Sequence, residues 1–145
     1  MSAPSKPYLL DFYPLEDEKQ TRIAPFFAHL RAGRLTTTKC EADSSVHWPP
    51  RVTCPLCHGN RLVWVDLPKE GKLYAFSALV LGLPMGMEGD AGAVVGLVEL
   101  GNSGVRIFSR IRGRKYEDLR VGDPVEFETY DTGDGRVFYR FVSKL

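Results

Sequence analysis

The sequence predicts a mostly β protein in three zones: a helical arm, a loop organised by cysteines, and a small barrel of five or six strands. Six short runs rich in β-branched and aromatic residues fill the C-terminal half, with turn-forming residues between them. A C-x-x-C pair precedes these runs, and an apolar pattern of helical spacing precedes the pair. We therefore place the zones at residues 1–36, 37–61 and 62–145.

The composition is that of a folded protein without a membrane span. Hydrophobic residues make up 43% of the 145 residues, which is enough to bury a core. Nineteen Lys and Arg against eighteen Asp and Glu give a formal net charge of +1, which disfavours a protein built mainly to coat a polyanion. Because the sequence contains neither a long apolar run nor a secretory signal, we expect a cytoplasmic protein.

The first zone has a proline-rich start and then a short helix. One face of that helix is formed by Ile23, Phe26, Phe27 and Leu30. The helical spacing extends over residues 16–31, Pro25 marks either a first helical turn or a break in it, and Gly33 is a plausible helix end. We expect the apolar face to pack on the rest of the chain, and the alternative is that it fills a groove on a partner.

The third zone predicts a small closed barrel of the OB type. The predicted strands lie at residues 62–66, 73–81, 93–100, 104–111, 124–130 and 136–142. The stretch RGRKYEDLRVGD between the fourth and fifth strands indicates a connection with one helical turn and a Gly-Asp bend. Five or six strands with one slightly helical crossover are typical of this barrel.

The cysteine loop predicts a structural metal site. Cys54 and Cys57 form one C-x-x-C knuckle, and Cys40 lies upstream with Asp43 at the position that would complete a second knuckle. Zinc prefers thiolate ligands, and a carboxylate oxygen binds it as a harder and weaker ligand. The candidate zinc ligands are therefore Cys40, Asp43, Cys54 and Cys57.

Alternatives to this site remain open. The same loop offers His47, His58 and Glu41 as donors, and it can also pack without metal around free thiols. A catalytic pair of Cys57 and His58 is disfavoured because adjacent side chains rarely converge. The sequence has no Ser-His-Asp set, paired-carboxylate motif or open metal-site motif, so we expect no enzyme activity.

The order of the segments resembles a known family. FFAHLRAGRL precedes the cysteines, PPRVTCPLC contains the knuckle, WVDLPKEGKLYAFSALV follows it, and DLRVGDPVEF lies near the C terminus. From about residue 20 onward the chain is similar to small acyl-CoA-associated proteins that combine a rubredoxin-like zinc ribbon with an OB-fold, long catalogued as a domain of unknown function. Asp43 and Ser44 stand where that family usually has a cysteine and a glycine.

The resemblance implies a non-catalytic role. It implies one structural zinc ion held by Cys40, Cys54 and Cys57, with Asp43 in the fourth place. Members of the family are found with thiolases, and one resembles a bridge between acetoacetyl-CoA thiolase and hydroxymethylglutaryl-CoA synthase. The expected function is that of a scaffold subunit that binds acyl-CoA and docks such an enzyme.

Two segments are candidates for binding that ligand. One face of the fourth predicted strand combines cations with an aromatic ring, and its residues are Arg106, Phe108, Arg110 and Arg112. The alternative for this face is a solvated surface with ion pairs to Glu126 and Glu128. The glycine-rich loop 82–92 carries Met85 and Met87, which suit an apolar chain, and its alternative is a plain connector.

The second class of function is binding of single-stranded nucleic acid. Zinc ribbons and OB barrels both bind single strands, and in such proteins aromatic rings stack on the bases along a basic groove. Such binding weakens steeply with added salt because counterions are released, whereas docking through an apolar patch resists salt. The near-neutral net charge makes nucleic acid the weaker candidate.

Overall fold

The described part of the chain comprises residues 16–83, 89, 91–132 and 135–145 of a computed structural model. Helix α1 comprises Ala24–Arg31. The strands β1 to β8 are, in order, Thr36–Cys40, Val46–His47, Leu62–Asp66, Glu70–Ala78, Val94–Glu99, Arg106–Arg112, Pro124–Asp131 and Val137–Ser143. A 3-10 turn, Tyr116–Asp118, lies between β6 and β7. The mostly β fold predicted from the sequence is confirmed. Among the described residues, no helix has the length and apolar character that a membrane span requires.

Helix α1 begins at Ala24, later than the helical spacing from residue 16 predicts, and it ends where the sequence predicts. Pro25 lies in its first turn, where a missing N–H leaves no hydrogen bond unmade. At the other end, Gly33 has a left-handed φ of 75°. The N–H of Gly33 donates to the Leu30 carbonyl, and the N–H of Arg34 donates to the His29 carbonyl. This pair of bonds is a Schellman motif, which satisfies carbonyls that the helix leaves free.

A three-stranded antiparallel sheet, in the order β2–β1–β3, carries the cysteine loop. Cys40 at the end of β1 pairs with Leu62 at the start of β3, so the loop leaves and re-enters the sheet at one end. The prediction that residues 62–66 form a barrel strand is wrong. All five residues of this segment pair with β1, and the barrel begins only after the break at Pro68.

The central strand β1 buries polar side chains and satisfies them with hydrogen bonds. Thr36 is fully buried, and its Oγ1 lies 2.8 Å from Nδ1 of His29 on α1. Oγ1 of Thr38 accepts a hydrogen bond of 2.8 Å from the backbone N–H of Arg51. A buried hydroxyl without a partner would lower the free energy of unfolding. These bonds therefore fix the helix, and the segment that contains Pro49 and Pro50, against the sheet.

Strands β4 to β8 form a closed barrel in the order β4–β5–β6–β8–β7, and β7 returns to pair with β4. Neighbouring strands are antiparallel except for β6 and β8, which are parallel. The 3-10 turn supplies the slightly helical crossover that the sequence predicts. A Cβ on Gly96 of β5 would lie 2.6 Å from the Ala75 carbonyl oxygen, so β4 can approach this closely only at glycine.

An aromatic junction joins the helix, the sheet and the barrel. The ring of Phe26 lies 5.7 Å from that of Trp48 and 6.4 Å from that of Tyr139, measured between centroids. Trp48 and Tyr139 are themselves 6.0 Å apart. All these pairs are edge-to-face, which aromatic rings favour. The apolar face of α1 therefore packs on its own chain.

Candidate metal centre and ligand-binding face

The four predicted metal ligands converge at one end of the three-stranded sheet. One donor atom from each of Cys40, Asp43, Cys54 and Cys57 lies within 4.8 Å of the other three. The Sγ atoms of Cys40 and Cys57 are 3.6 Å apart. Two thiolates bound about 2.3 Å from a tetrahedral zinc ion are about 3.8 Å apart, so the donors and their spacing suit such an ion.

The loop contains two turns of the same geometry, one for each half of the donor set. In the first, the N–H of Ser44 donates to the Cys40 carbonyl at 2.9 Å, and Ser44 has a φ of 62°. In the second, the N–H of His58 donates to the Cys54 carbonyl at 2.9 Å, and His58 also has a φ of 62°. Asp43 therefore occupies the same place in its turn that Cys57 occupies in the other.

Ser45 orients the carboxylate of Asp43. Its backbone N–H donates to Oδ1 of Asp43 at 2.9 Å, and its hydroxyl donates to the same oxygen. The Ser45 hydroxyl and then the backbone N–H hold the pKa of Asp43 far below its usual range. Oδ2 is turned the other way, 3.3 Å from Sγ of Cys54. An ionised carboxylate with one oxygen facing the thiols is able to serve as a monodentate ligand.

The surroundings of two thiols shift their pKa in opposite directions. Burial raises the pKa of Cys54, but the Cys57 N–H, Ser45 and His47 outweigh that effect and lower it to about 6. For Cys40, the backbone N–H of Asp43 lowers the pKa, and burial with the neighbouring side chains outweighs it and raises it to about 11. A metal ion binds thiolate, so it must displace a proton from Cys40 at neutral pH.

His47 is the residue whose part in this centre the sequence reasoning underestimates. Its Nε2 lies 2.8 Å from Oγ of Ser45 and 3.5 Å from Sγ of Cys54. It does not belong to the mutually close set of four donors among the described residues, and neither do Glu41 and His58. The two-residue spacing of a strand from Ser45 to His47 is the sequence signal that places both side chains on one side.

The alternation of exposed and buried residues expected on β6 is present, and ligand binding by its exposed face stays a prediction. Ile107 and Ile111 point into the core, and the exposed residues between and beside them are Arg106, Phe108 and Arg112. Arg110 lies on the same face and is partly buried. Met85 and Met87, the other predicted ligand-binding residues, lie outside the described residues.

Ion pairs occupy much of the charge on this face. Nε of Arg106 lies 2.9 Å from Oε2 of Glu99, and its guanidinium stacks 3.8 Å from the centre of the Tyr74 ring. Nη1 of Arg112 lies 3.3 Å from Oε1 of Glu128. The predicted pairing with Glu128 is therefore present. Glu99 on the adjacent strand β5 pairs with Arg106, because the two residues lie directly opposite each other in the strand register.

Comparisons with known proteins agree with this architecture. Residues 64–129 match the family model described as the C-terminal OB-fold domain of ChsH2. The chain is similar to a solved Ltp2-ChsH2(DUF35) aldolase, with a TM-score of 0.75 and 23% identity, covering 86% of this chain and 97% of that one. It is also similar to a DUF35-family protein of unknown function from Sulfolobus solfataricus, with a TM-score of 0.60 and 15% identity, covering 94% of this chain and 99% of that one.

No curated protein matches this sequence significantly. The resemblance read from the sequence is confirmed at the level of the fold. Residues 64–129 are similar to the ChsH2 C-terminal OB-fold domain, and the likeness to the two solved structures, both below 25% identity, shows a shared fold.

Proposed function

We propose that the protein is a non-catalytic scaffold subunit that binds acyl-CoA and docks a thiolase-type enzyme. In the finer form of the proposal, it bridges acetoacetyl-CoA thiolase and hydroxymethylglutaryl-CoA synthase. The observation that carries the proposal is the likeness to the Ltp2-ChsH2(DUF35) aldolase, in which a DUF35 protein is named together with a second protein. That likeness covers 97% of the other chain, so it supports a partner-bound role for the whole architecture.

The arrangement of the cysteines favours a structural role over a catalytic one. Cys54 lies 3.5 Å from Nε2 of His47, a distance at which a base can activate a thiol. However, Cys54 is fully buried, and the carboxylate of Asp43 lies 3.3 Å from its sulfur. A nucleophile requires access for its substrate, and a negative neighbour opposes an attacking thiolate. Both features suit a metal ligand better.

One zinc ion held by Cys40, Asp43, Cys54 and Cys57 is part of the proposal. Four protein donors complete a tetrahedral shell and leave no position for a substrate. The ion would therefore stabilise the loop between β1 and β3 and would supply no chemistry of its own.

The outer face of β6 favours a protein partner over nucleic acid. Arg106 and Arg112 on β6 are each held by a glutamate, so this strand offers little unpaired charge to a phosphate backbone. Exposed apolar side chains are available to a partner instead. Leu81 is 89% exposed and Val80 is 67% exposed at the end of β4.

The proposal is tested by purifying the tagged full-length protein from its native host at high salt. We expect an acyl-CoA enzyme of the thiolase type to copurify, because contact through apolar surface resists salt. The purified protein alone should release no CoA from a thioester. Recovery of nucleic acid alone, or of no partner while such an enzyme is present in the lysate, would contradict the proposal, as would thioester turnover by the isolated chain.

A further inference from the structure

We infer that a cavity at the end of β6, rather than the outer face of that strand, binds a phosphate-bearing nucleotide group. Such a group is carried by a free nucleotide and by CoA. The choice of CoA as its source rests on the proposed function, whereas the chemistry of the cavity does not.

The cavity has the size of a small-molecule site. Its volume is about 590 Å³, within the range of about 300–1,000 Å³ that such sites span. It opens between the end of β4, the start of β5, the end of β6 and the 3-10 turn that follows. Ala78, Val94 and Ile111 form an apolar part of its wall. A ring system is therefore able to bury one face there.

Among the described residues that line this cavity, cations outnumber acids. Its described lining residues include three cations, Arg112, Arg114 and Lys115, and one acid, Glu117. Arg112 pairs with Glu128, and Glu128 also pairs with Arg140. Within the described residues, the side chains of Arg114 and Lys115 have no ion-pair partner. Unpaired cations beside an apolar wall favour an anionic ligand, and phosphate is the anion that Arg and Lys bind best.

The chain path brings these cations into the lining of the cavity. Gly113 has a φ of 97°, a left-handed conformation that lets the chain turn away from β6 immediately after Arg112. Tyr116 then presents a half-exposed ring to the cavity, and that ring is steadied by an edge-to-face contact of 5.4 Å with Phe76. A fixed and accessible aromatic ring beside unpaired cations is a platform for a nucleotide base.

The inference is tested by titration calorimetry of the full chain with CoA, ADP and pantetheine. We expect CoA and ADP to bind and compete, and pantetheine, which lacks the nucleotide, not to bind. The R114A/K115A variant should bind CoA roughly a hundredfold more weakly, because each lost charge-assisted contact weakens binding about tenfold. The matched control R61A/K69A removes two cations outside the cavity lining and should bind CoA like the wild type.

The aromatic platform has its own pair of variants. Y116A should weaken CoA binding roughly tenfold, since the base would lose the ring on which it stacks. Y116F keeps the ring and should bind like the wild type. Equal affinity for ADP and CoA would identify the nucleotide alone as the ligand, and tighter binding of CoA would identify the thioester carrier as the source.

Wild-type affinity in R114A/K115A, no binding of CoA and ADP to the wild-type chain, or loss of CoA binding in R106A instead would each overturn the inference. The proposed function fails separately. If the wild-type chain binds CoA through Arg114 and Lys115 but no thiolase-type enzyme copurifies with it, the site stands and the scaffold role falls. If the enzyme copurifies and R114A/K115A still binds CoA normally, only the site is wrong.

Discussion

The barrel and the cysteine loop are stabilised by different means. Each barrel strand pairs with two neighbours, and residues such as Val98, Ile107 and Phe141 are fully buried between them. Between Cys40 and Leu62 the chain contributes only β2, and most of its side chains are exposed. Its donor atoms converge instead. A closed sheet around an apolar core needs no ligand, whereas a polar loop of this kind needs one to fix its conformation.

Removal of one buried thiolate gives the largest expected effect. In C54S, a hydroxyl that does not ionise near neutral pH replaces a thiolate ligand. We expect zinc content to fall from about one ion per chain to nearly none, because structural zinc depends on its full donor set. Elemental analysis measures this loss, and hydrogen exchange should show faster exchange in residues 41–61 with the barrel amides still protected.

The control for that variant is V52A, which shortens an exposed side chain in the same loop and should keep the metal. Full zinc content in C54S would show that Cys54 is not a ligand. Loss of protection in the barrel as well would show that the two regions are not stabilised independently.

Truncation of a core side chain tests whether the barrel is stabilised by its apolar core and not by metal. Phe141 is fully buried and packs edge-to-face against Phe127 at 6.2 Å. F141A should lower the free energy of unfolding by about 3–5 kcal/mol, and added zinc should not restore it. Denaturant titration followed by circular dichroism measures the change. A loss below about 1 kcal/mol would mean that the barrel does not carry most of the stability.

Alkaline pH should weaken the junction that connects the two regions. Burial, with a smaller effect of Tyr130, raises the pKa of Tyr139 to about 12, and its hydroxyl donates to the Phe108 carbonyl at 3.1 Å. The unfolded chain ionises this phenol near pH 10. The contribution of Tyr139 to the free energy of unfolding is therefore fully present below pH 10. It falls by about 2–3 kcal/mol as the pH rises toward 12.

The matched variant Y139F has no group to ionise, so its free energy of unfolding should fall less between pH 10 and 12 than that of the wild type. At neutral pH it should be less stable by about 1 kcal/mol, the contribution of one hydrogen bond. Denaturant titrations across this range measure both effects. Parallel pH profiles for the two proteins would contradict the assignment.

The smallest expected effect is a gain. D43C places a thiolate where the carboxylate lies, in a turn whose counterpart already holds Cys57. We expect zinc affinity to rise about tenfold, because zinc prefers sulfur to oxygen. Competition with a chelator measures it, and D43N, which keeps the shape without the charge, should bind more weakly than the wild type. No gain in D43C would place residue 43 outside the coordination shell.

The fold could be predicted where a pattern repeats along the chain. Period-two runs located the strands of the barrel, and Gly33 marked the end of the helix. The partner of residues 62–66 could not be predicted, since alternation shows that a strand exists but not which strand it pairs with. Packing and register decided that question.

The candidate sites were predictable to a different extent. Cysteine spacing identified the donor set, because few other arrangements use those residues at that spacing. The hydrogen bonds from Ser45 and His47 could be predicted only in part, because the two-residue spacing places both side chains on one side but does not show which groups the loop brings near them. The pairing of Arg106 with Glu99 depends on strand register, so the cations left without partners could be found only in the structure.

The two matching turns of the cysteine loop have a consequence for how this protein can change. Because the backbone forms the same shape whether sulfur or oxygen stands at its end, a single codon alters which ions the loop prefers while the fold stays as it is. Softer ions gain from one side chain and harder ions from the other. If the loop holds a metal ion as proposed, selection can adjust the metal preference of this protein through one residue while the barrel stays unchanged.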